Sequence, residues 1–130
     1  MKLPLDTQVA IWAVASRDRL GRAALELIED GENEVAVSAV GVLEVAIKYP
    51  LLSRRDRPPF SGALALAAFR GAGFRVISVT ADHAATVEAL PPMHADPFDR
   101  LLLAQALHES MRLLTADRAL QGAHESVIPA

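Results

Sequence analysis

Apolar residues recur along this chain in two patterns, one typical of short buried strands and one of helices with an apolar face. Strand patterns occupy residues 2–5, 34–38, 74–79 and 112–115, and a further short strand is expected at 126–128. Helical patterns lie between them and are bounded by capping residues, glycine or proline. They cover residues 9–15, 21–30, 39–48, 62–70, 81–90, 96–110 and 117–121, and residues 50–61 form a loop. This alternation predicts an α/β domain whose mainly parallel sheet is flanked by helices on both faces.

The length of 130 residues fits a single domain spanning 1–130, and 52% apolar residues allow a substantial core. There is no cysteine, which excludes disulfides, thiolate zinc sites and cysteine nucleophiles. Neither an export signal nor an apolar run of about 20 residues is present, so we expect a cytoplasmic protein outside the membrane. The net charge of −3 disfavours nucleic-acid binding by bulk electrostatics. A nuclease of this composition would have to gather its acids on metal ions.

Two acids lie at positions that indicate a functional role, one at the end of a strand and one within an apolar helix. Asp6 ends the first strand, where it is either a metal ligand at the carboxyl edge of the sheet or the N-cap of the next helix. Glu44 lies within an apolar helix, where a carboxylate is unfavourable unless it is paired or binds a cation.

Four further acids admit two interpretations each. Asp96 and Asp99 begin a helix as N-cap and N3 residues, and they could also share a cation. Asp82 and Asp117 both follow a strand in the context Thr-Ala-Asp, so local chemistry does not distinguish them. Carboxylates without histidine or cysteine suit Mg²⁺ or Mn²⁺, one or two ions per site, and hydrolysis of a phosphodiester.

Four blocks of sequence together resemble the PIN domain, and most of all the VapC-type ribonuclease toxins of bacterial toxin–antitoxin pairs. The resemblance runs from residue 3 to about residue 121. Its blocks read Leu-Asp-Thr at 5–7, Val-Ser-Ala-Val-x-x-x-Glu-x-Ala-Ile-Lys at 37–48, His-x-Asp-Pro-Phe-Asp-Arg-x-Leu-x-Ala-Gln-Ala at 94–106, and Leu-x-Thr-x-Asp at 113–117. The second and third blocks are the specific ones.

The resemblance implies a metal-dependent endoribonuclease whose catalytic, metal-binding residues are Asp6, Glu44, Asp99 and Asp117. It thereby favours Asp117 over Asp82 and makes Asp96 an accessory acid. It also implies small hydroxyl groups that orient the carboxylates or hold water. These are Thr7, Ser38 and Thr115.

The partners implied by the resemblance are an RNA substrate, a small antitoxin that blocks the acidic cleft, and a second copy of the chain. Basic residues in and before loop 50–61 are candidates for RNA contact. They are Lys48, Arg54, Arg55 and Arg57. The chain departs from the family at Gln8, where a histidine is common, at Leu43, where a bulky aromatic is usual, and in this basic loop. The departures concern substrate choice and partner fit rather than the four acids.

Three other functions are compatible with parts of the pattern. A PIN nuclease of RNA processing would share the site and lack an antitoxin. A neighbouring gene for an antitoxin would distinguish the toxin from this nuclease. A non-catalytic PIN-like module would usually have lost one of the four acids, all of which are present. A response-regulator-like domain would need a lysine after its last strand, and residues 76–130 contain no lysine.

Overall fold

A five-stranded sheet forms the centre of the computed structural model, which describes residues 1–93 and 95–130. Its strands lie in the order β3-β2-β1-β4-β5, and every neighbouring pair is parallel. The strands are β1 (Lys2–Leu5), β2 (Glu34–Ser38), β3 (Arg75–Ile77), β4 (Leu113–Thr115) and β5 (Val127–Pro129). The predicted parallel sheet is confirmed.

Six α-helices of the described residues connect the strands. They are α1 (Thr7–Ala15), α2 (Arg22–Glu29), α3 (Ala39–Leu51), α4 (Gly62–Gly71), α5 (Ala81–Thr86) and α6 (Pro97–His108). Short 3₁₀ turns follow α1 at Arg17–Arg19 and α5 at Val87–Ala89. Within the described ranges, no helix is long and apolar enough to cross a membrane.

The sheet separates two apolar cores, because successive side chains of a strand point to opposite faces. In β4, Leu114 packs with residues of α1 to α4, whereas the adjacent Leu113 packs with α6 and the segments that follow α5 and β4. Both leucines are fully buried. Helices therefore cover both faces, as the alternating pattern predicts.

Pro4 lies in the middle of the central strand, where a residue without an N–H is unfavourable. The edge of β1 that faces β4 tolerates it because the ladder there is short. On that edge the Arg112 N–H donates to the Lys2 carbonyl at 3.2 Å, and the Asp6 N–H donates to the Leu114 carbonyl at 3.0 Å. Pro4 lies between these two bonds, so the missing donor interrupts the ladder without ending it.

Two predictions for helices were wrong. Helix α3 does not stop before Pro50, because it continues to Leu51 and the Leu52 N–H still donates to the Lys48 carbonyl at 2.9 Å. The predicted helix at 117–121 is a series of turns instead. There the Asp117 side chain accepts the Ala119 N–H at 2.9 Å, which competes with regular helix hydrogen bonding.

Candidate metal centre

The predicted acids meet at the carboxyl edge of the sheet. Asp6 follows β1 and Asp117 follows β4, and these two strands are neighbours. Glu44 reaches the same edge from α3, and Asp99 reaches it from the first turn of α6. A cleft of about 310 Å³ is lined by all four carboxylates. Its remaining lining residues are Thr7, Gln8, Trp12, Lys48, Asp96 and Ala116.

Asp6 is both the N-cap of α1 and a wall of this cleft, so the two interpretations of its position are compatible. Its Oδ1 accepts the Val9 N–H at 2.8 Å, and its Oδ2 accepts the Ala116 N–H at 3.2 Å and the Thr115 hydroxyl. Burial raises the pKa of Asp6, these three hydrogen bonds oppose the shift, and the charge of Asp117 adds to it. The carboxylate is thus held rigidly where negative charge is unfavourable without a cation.

Glu44 has one paired and one unpaired oxygen. Its Oε2 lies 2.6 Å from the Lys48 Nζ, four residues further along α3. Its Oε1 is buried and has no hydrogen-bond partner within the described part of the chain. A buried, unpartnered carboxylate oxygen is unfavourable unless a ligand binds it.

Lys48 provides the positive charge that now faces the acids. Burial lowers the pKa of Lys48, whereas the ion pair with Glu44 and the charges of Asp96 and Asp99 raise it. The net shift of the pKa is upward. The ammonium group therefore stays protonated beside Glu44.

Asp96 and Asp99 behave differently although they begin the same helix. Asp96 is exposed and caps α6, its Oδ1 accepting the Asp99 N–H at 2.8 Å. Burial raises the pKa of Asp99 to about 8, and a hydrogen bond to the Asp117 side chain and the charges of Asp96, Asp117 and Glu44 contribute. Crowding of these acids thus favours the protonated form of Asp99 when no cation is bound.

Asp82, which the local sequence does not distinguish from Asp117, lies outside the cleft. It is exposed in the first turn of α5, which follows the edge strand β3. Sheet order separates the two residues, since β4 adjoins β1 whereas β3 is separated from β1 by β2.

The three hydroxyl residues have different roles. Thr115 donates to Asp6 and accepts the Asp117 N–H at 2.9 Å, so it links two acids. Ser38 accepts the Val40 N–H at 3.1 Å and caps the helix that carries Glu44. The buried hydroxyl of Thr7 lines the cleft and has no partner among the described residues.

The donor set fits a hard divalent cation. Among residues 1–93 and 95–130, no three His, Asp or Glu side chains already enclose a metal position. The Lys48 ammonium lies on Glu44, and the nearby negative charges contribute to the raised pKa of Asp99. Carboxylate oxygens in this arrangement, with Glu44 Oε1 unpartnered, are the ligands that Mg²⁺ and Mn²⁺ prefer.

The candidate RNA-contacting residues do not form one group. Lys48 lines the acidic cleft, and Arg57 lines a second cavity of about 380 Å³ beside it. Arg54 and Arg55 are exposed and line neither cavity. His94, which the sequence places two residues before Asp96, lies outside the described residues.

Trp12 of α1 is not among the predicted site residues, yet it is half-buried and lines both cavities. Gln8 also lines both cavities, at the position where the chain departs from the family's histidine. The available signal was the four-residue spacing between Gln8 and Trp12, because residues i and i+4 of a helix lie on the same face.

A family profile described as the PIN domain matches residues 4–124 of the chain. This chain is a PIN domain. Over 123 residues it is 37% identical to ribonuclease VapC22 of Mycobacterium tuberculosis, covering 90% of this chain and 88% of that protein. The predicted membership is therefore confirmed.

Solved structures share the fold of this PIN domain. VapBC2 from Rickettsia felis, bound to a DNA fragment from its promoter, has a TM-score of 0.69 at 15% identity, covering 100% of this chain and 98% of that chain. VapBC-5 from Mycobacterium tuberculosis has a TM-score of 0.60 at 20% identity, covering 98% and 96%. Both structures are toxin–antitoxin systems, and the likeness supports the fold.

The stability of the metal-free PIN domain is expected to fall as the pH rises from about 4 to about 8. Asp99 has a pKa of about 8 when folded and an ordinary value of 3.8, so in this window the folded chain keeps a proton that the unfolded chain releases. Raising the pH then favours unfolding. Melting temperatures measured across the window in EDTA and in Mg²⁺ test this, since a bound cation replaces the proton and reduces the loss.

Asp99→Asn is the control for this pH dependence, because an amide does not titrate. Its melting temperature in EDTA should change less with pH than that of the unmodified chain. Equal pH dependence in the two proteins would show that other groups are responsible.

Proposed function

We propose that this PIN domain is a Mg²⁺- or Mn²⁺-dependent endoribonuclease and the toxin of a VapBC-type toxin–antitoxin pair. The unpartnered, buried oxygen of Glu44 in a cleft with four further carboxylates carries the proposal. The 37% identity to a ribonuclease over most of both chains supports the reaction class.

Asp6, Glu44, Asp99 and Asp117 would hold one or two ions, with Asp96 as an accessory acid at the rim. A bound ion would supply hydroxide near neutral pH and stabilise the charge on the departing oxygen. The chain's own residues position that chemistry. Thr115 fixes the orientation of Asp6, and the backbone N–H groups of Val9 and Ala116 hold the carboxylate in place.

Lys48 has a second role in the proposed reaction. Its side chain is 40% exposed, and the ammonium lies at the junction of the acidic cleft and the adjoining cavity. When a metal ion neutralises Glu44, the ammonium is free to contact a phosphate of the RNA. Arg57 would extend this contact, whereas Arg54 and Arg55 would add only long-range attraction.

Exposed leucine and isoleucine side chains support the proposal that the chain binds protein partners. Leu43, Ile47 and Leu51 recur every four residues on α3, with exposures of 53%, 39% and 75%, and Leu64 of α4 is 62% exposed. Large apolar side chains grouped on a surface mark interaction sites. We assign this face to a second copy of the chain or to an antitoxin, and the pair would act in the cytoplasm.

The experiment that tests the function incubates the purified protein with structured and unstructured RNAs in Mg²⁺, Mn²⁺ or EDTA. Cleavage is expected with metal and should disappear in EDTA. Glu44→Gln, which keeps the size of the side chain, should abolish cleavage while the circular-dichroism spectrum stays unchanged. Glu26→Gln, an exposed position of α2, is the matched control and should cleave normally.

Two outcomes would contradict the proposal. Cleavage that survives both EDTA and Glu44→Gln would come from a contaminating enzyme. A folded protein that binds Mn²⁺ without cleaving any RNA of the panel would favour a module that binds without cutting.

A further inference from the structure

The acidic cleft opens into a second cavity, so the two form one groove. The second cavity measures about 380 Å³ and lies between α1, α3 and the segment that follows α3. The two cavities share five lining residues. They are Thr7, Gln8, Trp12, Glu44 and Lys48. A chain bound at the carboxylates can therefore continue along this groove without leaving the protein surface.

The second cavity carries two arginines that lie on aromatic rings. The Arg19 guanidinium lies 5.3 Å from the centroid of Trp12, and the Arg57 guanidinium lies 4.8 Å from the centroid of Tyr49. Both arginines line the second cavity. Stacking restrains the plane of a guanidinium and leaves its N–H edges available for hydrogen bonds. Each arginine is thus oriented before any ligand arrives.

Neither of these arginines is neutralised by a carboxylate within the described residues. Other arginines of the chain are, since Arg17 pairs with Glu29, and Arg75 pairs with Glu34 at 2.7 Å. Arginine is favoured where phosphate is recognised, because its guanidinium can donate two parallel hydrogen bonds to phosphate oxygens.

The charge of the groove changes along its length. The acidic cleft is lined by five carboxylates, whereas the second cavity is lined by three cations, Arg19, Lys48 and Arg57, and two carboxylates, Glu44 and Asp56. Asp56 already accepts the Ser53 hydroxyl at 3.1 Å. The second cavity is therefore net cationic and suits a polyanion whose reacting phosphate lies at the carboxylates of the cleft.

We propose that Arg19 and Arg57 form a phosphate-binding subsite that holds the backbone of single-stranded RNA on one side of the cleaved bond. The inference rests on the proposed nuclease function, because that function places the reacting phosphate at the carboxylates. A cationic groove with aromatic side chains is the usual design for single strands. Such contacts are independent of sequence, so they add affinity and direction rather than base specificity.

Two double variants of equal charge test this subsite. Arg19→Ala with Arg57→Ala removes the stacked pair, and Arg54→Ala with Arg55→Ala removes two exposed arginines outside the groove. Binding of a 3′-fluorescein-labelled, mixed-sequence single-stranded RNA is measured by anisotropy in EDTA, where cleavage does not occur. Removal of the stacked pair should lower the RNA affinity about tenfold. It should also reduce the slope of log affinity against log salt concentration by about 1.4 in magnitude.

The exposed pair should change the affinity by about twofold at most, because charges outside the groove act only through screened attraction. Melting temperatures verify that both double variants fold, and Arg19→Lys with Arg57→Lys should restore part of the affinity by restoring charge. Equal losses in the two alanine double variants would overturn the subsite, since bulk charge alone would then explain binding. Unchanged RNA affinity after removal of the stacked pair would also overturn the subsite. The groove would then be a site for a protein ligand instead.

Failure of the nuclease function is separable from failure of the subsite. The former appears as absent metal-dependent cleavage by the unmodified protein. The latter appears in the anisotropy comparison, which needs neither metal nor cleavage.

Discussion

Asp117→Asn is expected to lower the rate of metal-dependent RNA cleavage by about a thousandfold, because it removes a charged ligand from the centre that stabilises the reacting phosphate. The fold should survive. Asn can still accept the Ala119 N–H that Asp117 accepts at 2.9 Å. The change also relieves repulsion with Asp99 and Asp6, so the metal-free protein should be at least as stable as before.

Asp82→Asn is the matched control, since Asp82 occupies the same Thr-Ala-Asp context and is exposed at the start of α5. Its cleavage rate should stay within about twofold of the unmodified protein, as surface substitutions away from a site usually have small effects. Both rates are measured under single-turnover conditions with saturating Mg²⁺. Equal activity of the two variants would remove Asp117 from the proposed centre.

Gly62→Ala is expected to lower the free energy of unfolding by about 1–3 kcal/mol, although alanine is the better helix former. A Cβ at Gly62 would lie 2.6 Å from the Ala46 Cβ and 3.0 Å from its Cα, so α3 and α4 must separate. Ala46 is two residues from both Glu44 and Lys48, and the displacement should therefore also weaken Mn²⁺ binding. Urea denaturation and Mn²⁺ titration followed by electron paramagnetic resonance measure the two effects.

Gly71→Ala provides the comparison, because a Cβ at Gly71 has open space around it and the residue also lies in α4. Its stability should be unchanged or slightly higher. If Gly62→Ala proved as stable as Gly71→Ala, the close approach of α3 and α4 would not constrain the position of Glu44.

The element types of the fold were accessible from the sequence because each depends on local pattern. Leu113 and Leu114 show the limit of such patterns, since they identify a buried strand without saying which strand lies beside it. The order of the strands decides which acids meet, and this order depends on contacts between distant segments. For that reason the residues alone left Asp82 and Asp117 equivalent, and the family resemblance favoured Asp117.

The prediction was least accurate where side chains replace backbone hydrogen bonds or where a helix tolerates proline. The Asp117 side chain holds the segment after β4 in turns, and α3 includes Pro50 near its end, where few helix bonds remain to be lost. The arginine stacks were equally inaccessible. Arg19 and Arg57 reach one groove from segments 38 residues apart in sequence, and only the tertiary structure brings them together.

In the proposed function, the ion pair of Lys48 with Glu44 would make metal loading a cation exchange rather than the filling of an empty site. A monovalent ammonium would leave Glu44 as a divalent ion arrives, so the net gain of positive charge there would be one unit instead of two. The newly made chain can thus fold with its acids already partly compensated. It would remain inert until the concentration of divalent metal is high enough to displace its own lysine.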